Sequence, residues 1–407
     1  MKKIVWLYPG MLVKRWIFIT AIGVLLVSMG FAIVISEQIT TSRTFASVII
    51  LSGIAFVIVG VKRMVNSFIG ALLPGKQSRL VDKVYAKRIL EKGPRIVTIG
   101  GGHGLSALLH GLKQYTSNIT AIVTVADDGG SSGRLREEFD VLPPGDIRNC
   151  LVALADEEDL MGKLFQFRFS DGKDLKGHNF GNLFITAMTR VAGDFETAIK
   201  ESSKVLAVRG RVVPSTTEKI VLRAQHKDGS FTEGESKIPD AASPVTKLYV
   251  SPENCDPTGE AVDAIRKADL IVIGPGSLYT SIMPNLLIKG ISDEILKSGV
   301  KKVYVCNVMT QHGETDGYRV SDHINAIIGH TSRGILDYAV VNSGRIPDAL
   351  RAKYAGEEAY PVELDAENVK NAGCRVIKAN IIDAKDHVRH NPLRLAKVVM
   401  DVALGAQ

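Results

Sequence analysis

Hydrophobic and polar positions divide this chain into two parts. Residues Ile17–Ile35 form an apolar run interrupted by Thr20 and Ser28 as its polar positions. At about 1.5 Å of rise per residue, such a run predicts a helix long enough to cross a bilayer core. A second run, Phe45–Val61, follows the short polar segment Ser36–Thr44, and Lys14/Arg15 and Lys62/Arg63 bracket the pair on its outer ends. The pattern predicts a transmembrane hairpin within residues 1–63, with helices over about 17–35 and 45–61 and both ends cytoplasmic. A cleaved signal peptide fits less well, because the first run is long, no small-x-small site ends it, and a second run follows.

From Arg95 the pattern becomes strand–loop–helix. Arg95-Ile-Val-Thr-Ile-Gly-Gly-Gly-His-Gly104 reads as a buried strand entering a glycine loop, followed by a helix from Leu105 to about Gln114. Ile119–Ala126 predicts a second buried strand delivering Asp127-Asp128-Gly-Gly-Ser131-Ser132-Gly133 to the same edge. A helix over Cys150–Leu154, an apolar helix over Leu183–Val191 and a helix over Gly259–Ala268 continue the alternation. Further strands are predicted at Leu270–Ile273, Lys302–Asn307, Tyr338–Asn342 and Arg375–Ala379, with a final helix over Leu393–Leu404. The fold class implied for residues 94–407 is α/β, a Rossmann-like doubly wound parallel sheet with ligands outside the carboxyl ends of its strands. Residues 205–250 break the rhythm: Val205–Val208, Arg211–Val213, Glu218–Ala224 and Phe231 look strand-like, with a turn at Lys227-Asp-Gly-Ser230, so a small β-rich insertion is expected there.

Charge changes the picture mainly at the junction. The net charge of +7 could suggest nucleic acid, but nine Lys/Arg fall between Lys62 and Arg95 against Asp82 and Glu91. Residues 64–93 therefore read as a basic juxtamembrane linker, and nucleic acid is not expected as a partner. Cys150, Cys255, Cys306 and Cys374 are scattered with no C-x-x-C pair, so neither a zinc ribbon nor a disulfide framework is indicated. Among the histidines, His312 and His323 stand near Glu314 and Asp316, where a hydrogen-bonded loop is a simpler reading than a metal site.

Several polar loops at strand ends suit a ligand carrying phosphates. Gly100, Gly101, Gly102, His103 and Gly104 offer backbone N–H groups at a helix start. Ser131, Ser132 and Gly133, then Asp146, Arg148 and Asn149 of Pro143-Pro-Gly-Asp-Ile-Arg-Asn149, then Asn179 and Asn182 of Gly177-His-Asn-Phe-Gly-Asn182, add polar groups at further helix starts. Gly274, Pro275, Gly276, Ser277, Tyr279 and Thr280, with Asn285 beyond, form a second glycine loop. Arg148 is a bidentate partner for phosphate, and Asp127 and Asp128 read either as ligands of Mg²⁺ or as acceptors for sugar hydroxyls. Near the C-terminus, His387-Val-Arg389-His390-Asn391-Pro392 can close over an anion, with Tyr354 as a stacking surface. A dinucleotide reading competes, since Gly102-His-Gly104-Leu-Ser-Ala107 fits G-x-G-x-x-A and Asp127 stands about twenty residues on, as that fingerprint requires. A P-loop fails, because no Gly-Lys-Ser/Thr follows the glycines, and Gly274-Pro-Gly-Ser277-Leu lacks the G-x-S-x-G elbow.

Together Ile99–Gly104, Asp127–Gly133, Pro143–Asn149, Gly177–Asn182 and Gly274–Ser281 resemble the YvcK/CofD-like family, over the chain from about Arg95 to its end. The resemblance implies one of two activities. The CofD branch transfers a phospholactyl group from guanylyl-activated lactate to a deazaflavin acceptor with magnesium. The YvcK branch, called gluconeogenesis factor, is associated with cell shape and growth on gluconeogenic carbon and binds UDP-sugars such as UDP-N-acetylglucosamine. The form of Gly274–Asn285 and of Val388–Asn391 is closer to the YvcK branch. By resemblance, Gly100–Gly104 and Gly274–Ser277 cradle phosphates, Asp127 holds Mg²⁺ or hydroxyls, and Asn182, Tyr354 and Arg389 define the sugar or nucleotide. If the protein is an enzyme, Asp127, Asp128 and Arg148 are its catalytic candidates. Aromatic residues make up 6% of the chain with no cluster suited to a deazaflavin cleft, which leans toward binding. A nicotinamide oxidoreductase is the third class. The hairpin places the protein in the cell membrane with its binding domain in the cytoplasm, near envelope-synthesis proteins, and a homo-oligomer is expected.

Overall fold

The computed structural model describes residues 13–35, 40–72, 88–156, 160–241, 243–384 and 386–406. They form two compact units, residues 1–88 and 89–407.

The first unit pairs the helices Val13–Ile35 and Thr40–Leu72. Their seam is made by glycines seven apart, Gly23 and Gly30 on one helix and Gly53 and Gly60 on the other. A Cβ at Gly23 would lie 2.7 Å from the carbonyl oxygen of Gly53, and one at Gly53 would lie 2.7 Å from that of Gly23. Small residues at the seam let the backbones approach, while Phe18, Leu25, Phe45 and Leu51 stay exposed on the outer faces. Both helices are long and apolar enough to cross a membrane, by length and composition. The second helix runs past the predicted Val61 to Leu72 and absorbs the start of the predicted linker. Residues 73–87 of that linker, and 36–39 of the connection, lie outside the described residues.

In the second unit, seven parallel strands form one sheet. They are β1 (Ile96–Gly100), β2 (Ile119–Val123), β3 (Arg211–Pro214), β7 (Leu270–Ile273), β8 (Lys301–Val305), β9 (Tyr338–Asn342) and β10 (Arg375–Ala379). Their spatial order is β10-β9-β8-β7-β1-β2-β3. The chain starts in the middle, winds outward one way through β2 and β3, then returns to β7 and winds the other way. The reversal falls between β1 and β7, paired in register from Ile96↔Leu270 to Ile99↔Ile273, and crevices at such switch points hold ligands. Every residue of β1, β2 and β7 is buried, as a sheet covered on both faces requires.

Two expectations around the insertion are corrected. Val205 ends a helix, Phe195–Val205, whose buried Phe195, Ala198, Ile199 and Ser202 recur at helical spacing. Ala207 then takes a left-handed conformation (φ 48°), so Val205–Val208 is not a strand. The segment starting at Arg211 belongs to the main sheet, as its edge strand β3. The insertion itself is a three-stranded antiparallel sheet, β4 (Val221–His226), β5 (Phe231–Glu233) and β6 (Val245–Ser251), in the order β5-β4-β6. A hairpin that the pattern did not signal, β11 (Ile382–Ala384) with β12 (Val388–His390), precedes the final helix Pro392–Ala403.

At the centre of β1 the Thr98 side chain is buried and its Oγ1 finds no hydrogen-bond partner among the described residues. Such a hydroxyl costs about 1–3 kcal/mol. Thr98→Val keeps the shape and removes the hydroxyl, so the melting midpoint should rise by about 2–4 °C, measured by calorimetry on residues 89–407.

Candidate functional site

The site is built on two glycine loops that touch. The loop after β1 runs through Gly101 into the helix Gly102–Leu112, with Gly102 at φ 66°. The loop after β7 starts at Gly274, at φ 80°. A Cβ on Gly104 would stand 2.9 Å from the carbonyl oxygen of Pro275, and one on Gly276 would stand 3.2 Å from that of Gly101. Backbone therefore meets backbone at the switch point. Asn307, just beyond β8, fixes the second loop by donating from Nδ2 to the Gly276 carbonyl (2.8 Å) and accepting from its N–H at Oδ1 (3.4 Å). Asn285 donates to the carbonyls of Gly100 (3.1 Å) and Ser281 (2.8 Å), tying the two loops together from below.

Beside the loops lies a cavity of about 230 Å³, bordered by Gly102, Thr124, Ser277 and Thr280 and by four carboxylates, Asp127, Asp146, Glu235 and Glu314. Desolvation, followed by the charge of Asp127, pushes Asp146 up to about 7. Burial likewise raises Glu314 to about 7, against hydrogen bonds from the Tyr279 amide and the Thr280 hydroxyl. Glu235 is raised to about 8 by desolvation and then by Asp127, Asp128 and Asp146. Asp127 is also raised, by desolvation, while the Gly129 N–H at 3.0 Å opposes the shift. Among these four, Asp127 and Asp146 were legible from sequence. Glu235 and Glu314 were missed as site residues, because they come from the insertion and from the loop after β8 and carry no local motif.

The remaining candidates separate by position. Asp128 stands apart from the cavity lining and accepts from the amides of Glu235 (2.9 Å) and Ser236 (2.8 Å), so it clamps the insertion to the main domain. Gly130–Phe139 is a helix rather than a loop, with Ser131, Ser132 and Gly133 in its first turn. Ser131 Oγ meets His178 Nδ1 at 3.2 Å and accepts from the Asn179 amide at 3.2 Å. Asn179 caps the helix Phe180–Ala192, its Oδ1 accepting from the Asn182 amide. Asn182 donates from Nδ2 to Ser132 Oγ at 3.4 Å, and its Oδ1 is buried without a partner among the described residues. A Cβ at Gly145 would come 2.8 Å from Asp127 Oδ2, which explains the glycine in Pro143-Pro-Gly. Tyr279 is buried, its hydroxyl 2.8 Å from that of Tyr318, so it supports the second loop from the core side. His312 and His323 are hydrogen-bonded loop and helix residues, to Asp316 and the Arg319 carbonyl respectively.

Cationic groups flank the first loop. His103 is held below its ordinary range by desolvation and then by Arg148 and Arg389. Arg148 is buried; its Nη2 donates to Asn149 Oδ1 at 2.6 Å, and its Nε and Nη1 find no partner among the described residues. Arg389 rides on β12, and the Val388 amide next to it donates to the Tyr354 hydroxyl at 3.1 Å. Tyr354 thus anchors the strand that carries Arg389. A second cavity of about 250 Å³ lies beyond β8 and β9, with Asn307, Asn342 and Arg351 on its rim and Val308, Ile346 and Val362 among its apolar walls. Phenylalanines pack together away from both cavities, with Phe165 centred 6.1 Å from Phe180 and 4.9 Å from Phe184, and Phe167 5.1 Å from Phe169; none of them borders either cavity.

Carboxylate oxygens suit a hard cation such as Mg²⁺, which is usually held by one or two of them together with waters and ligand phosphates. Among the described residues no three His, Cys, Asp or Glu converge into a protein-only metal cage. Asp146 and Asp127, whose charge helps to raise the proton affinity of Asp146, fit the open kind of site.

This topology and these loops define a Rossmann-order α/β protein with paired glycine turns at the switch point. Residues 96–382 match the family described as 2-phospho-L-lactate transferase CofD. The chain belongs to this CofD/UPF0052 family and is a homologue of proteins named gluconeogenesis factor. A putative gluconeogenesis factor of Nostoc sp. is 49% identical, covering 98% of this chain and 92% of its own length, so the similarity extends through the N-terminal unit. The gluconeogenesis factor of Bacillus subtilis is 51% identical over 76% of this chain and 98% of its own. A crystal structure of a UPF0052 family member from Bacillus halodurans superposes with a TM-score of 0.74 at 49% identity, over 76% of this chain and 99% of that one.

The raised carboxylates make a sign-definite prediction. A group whose folded pKa lies above its unfolded value stabilises the fold below the unfolded pKa, about 4, and loses that contribution as pH rises through the folded one. For Asp146 the window runs from about 4 to about 7. Asp146→Asn should therefore match the parent at pH 4 and exceed it at pH 8 by about 2–4 kcal/mol in urea unfolding of residues 89–407. Parallel pH profiles would contradict the assignment.

Proposed function

We propose that this protein binds a nucleotide-sugar of the UDP-N-acetylglucosamine type and thereby regulates envelope synthesis, cell shape and growth on gluconeogenic carbon. The observation that carries this reading is the backbone contact of two glycine loops at the switch point, with a cavity on either side. The diphosphate would lie across Gly101–Gly104 and Gly274–Ser277, taking N–H groups from both loops. Arg148, with two nitrogens unpartnered among the described residues, and Arg389 would neutralise it. The sugar would occupy the carboxylate-lined cavity, with Asp127 and Asp146 accepting from its hydroxyls. The nucleoside would enter the second cavity, whose apolar walls and Arg351 suit a flat ring next to phosphate. The name of the Bacillus subtilis relative, gluconeogenesis factor, supports the part that concerns gluconeogenic carbon.

The two N-terminal helices would span the membrane as a hairpin and hold the domain on its cytoplasmic side, beside envelope-synthesis proteins, as a homo-oligomer. Their apolar outer faces and their glycine seam support the spanning hairpin.

A second reading, phospholactyl-type transfer from a guanylyl-activated lactate, is favoured by one observation. Asp146 and Glu314 both sit at about 7, the range of a general base at neutral pH. In that case Mg²⁺ held by Asp127 and Asp146 would supply charge for the departing phosphate oxygens. Arg148 would bind the transferred group, and Glu314, which is not among those ligands, would take the acceptor's proton. Membership of a transferase family leaves the nicotinamide reading without support.

Calorimetric titration of residues 89–407 with UDP-N-acetylglucosamine and Mg²⁺ should give saturable binding. Arg389→Ala should weaken it about 10-fold or more, the value of a lost charge-assisted hydrogen bond. Binding to GDP with none to the UDP-sugar, or new phosphorus signals on incubation with either, would move the conclusion to the transferase reading.

A further inference from the structure

Residues 160–180 leave the body of the domain as one hydrogen-bonded excursion and return to the site. The helix Leu160–Gln166 is followed by a short antiparallel ladder, in which the Phe169 amide donates to the His178 carbonyl (3.0 Å), the Gly177 amide to the Phe169 carbonyl (2.8 Å), and the Phe180 amide to the Phe167 carbonyl (2.8 Å). On the helix's inner side Phe165 is fully buried against Phe180 and Phe184. The outer side does not become polar to match. Leu164 (36%), Phe167 (50%) and Leu175 (44%) are exposed, and the exposed charges set among them are mostly basic: Lys163, Arg168, Lys173 and Lys176, against Asp171 and Asp174. Large apolar side chains interleaved with lysine and arginine are the composition of a segment that rests at a bilayer interface. Basic groups near an anionic lipid surface are attracted to it.

We infer that this excursion docks on the surface of a membrane containing anionic phospholipid. Charge decides against the other occupant that an exposed apolar patch suggests, a second copy of the chain. A two-fold interface lays a patch on itself, which would bring the four basic residues against their own copies, whereas phosphate headgroups pair with them. The inference extends the membrane reading above, in which the same chain carries a bilayer-spanning hairpin and so sees lipid at high effective concentration. It also touches the site, because the docked segment ends in His178 and Asn179, the two residues that bond Ser131.

The test omits the hairpin, so that the two membrane readings fail separately. Residues 89–407 form a compact unit, and the Bacillus halodurans protein of that extent crystallises as a folded chain. Both tryptophans, Trp6 and Trp16, lie outside this fragment, so Phe167→Trp places a single fluorescent reporter in the patch. Vesicles of phosphatidylglycerol and phosphatidylcholine in equal parts should shift its emission to the blue and sediment the protein. Vesicles of phosphatidylcholine alone should do neither. Leu164→Glu combined with Lys173→Glu, checked for an unchanged circular dichroism spectrum and melt, should cut sedimentation at least 10-fold; Lys163→Gln with Lys176→Gln, a milder pair, should reduce it several-fold. No blue shift with the anionic vesicles, or sedimentation untouched by both pairs, would overturn the inference. So would a concentration-dependent dimer in analytical ultracentrifugation that Leu164→Glu abolishes, which would mark the patch as a self-interface.

Discussion

The site depends on the close approach of two turns, the one leaving β1 and the one leaving β7. Gly104 has no room for a side chain because the Pro275 carbonyl is there, and Gly276 faces the carbonyl of Gly101. The sheet order makes this contact unavoidable, since β1 and β7 are neighbours where the winding reverses. Everything else arranges itself around it: Asn285 and Asn307 hold the turns in place, the carboxylates line one flank, and the second cavity opens beyond β8 and β9. A substitution at Gly104 would therefore alter binding geometry before it altered the core.

Charge is distributed unevenly about that contact. Four carboxylates share one small cavity and are pushed toward their protonated forms, while Arg148 is buried with two of its nitrogens unpartnered among the described residues. Both features cost stability in the free protein. They become favourable together when an anion meets the arginine and hydroxyls or a cation meet the acids, which is the usual way a binding site departs from the rules of a stable core.

Much of this arrangement is legible in the amino-acid sequence. β7 and β9 fall where their buried β-branched runs predict them, because a parallel strand covered on both faces leaves an uninterrupted apolar signature; β10, at the sheet edge, is found at its predicted place although only Ile377 of it is buried. The glycine loops and Asp146 were legible as motifs. Glu235 and Glu314 were not: each reaches the cavity through tertiary structure, from the small antiparallel sheet and from the loop after β8. Asp128 looked like half of a catalytic pair and is a clamp, since adjacent residues in a turn point different ways. Val205–Val208 misled for a local reason, β-branched residues at the end of a helix whose buried face lies upstream. Five phenylalanines fall within twenty residues of sequence around Phe165, but they pack with one another and border neither cavity.

The most direct measurement is a crystal structure of residues 89–407 grown with UDP-N-acetylglucosamine and Mg²⁺. Diphosphate density bridging the amides of Gly102–Gly104 and Gly276–Ser277, with the sugar beside Asp127 and Asp146, is the expected result. Ligand bound elsewhere, or both loops empty at saturating concentration, would contradict the arrangement proposed here.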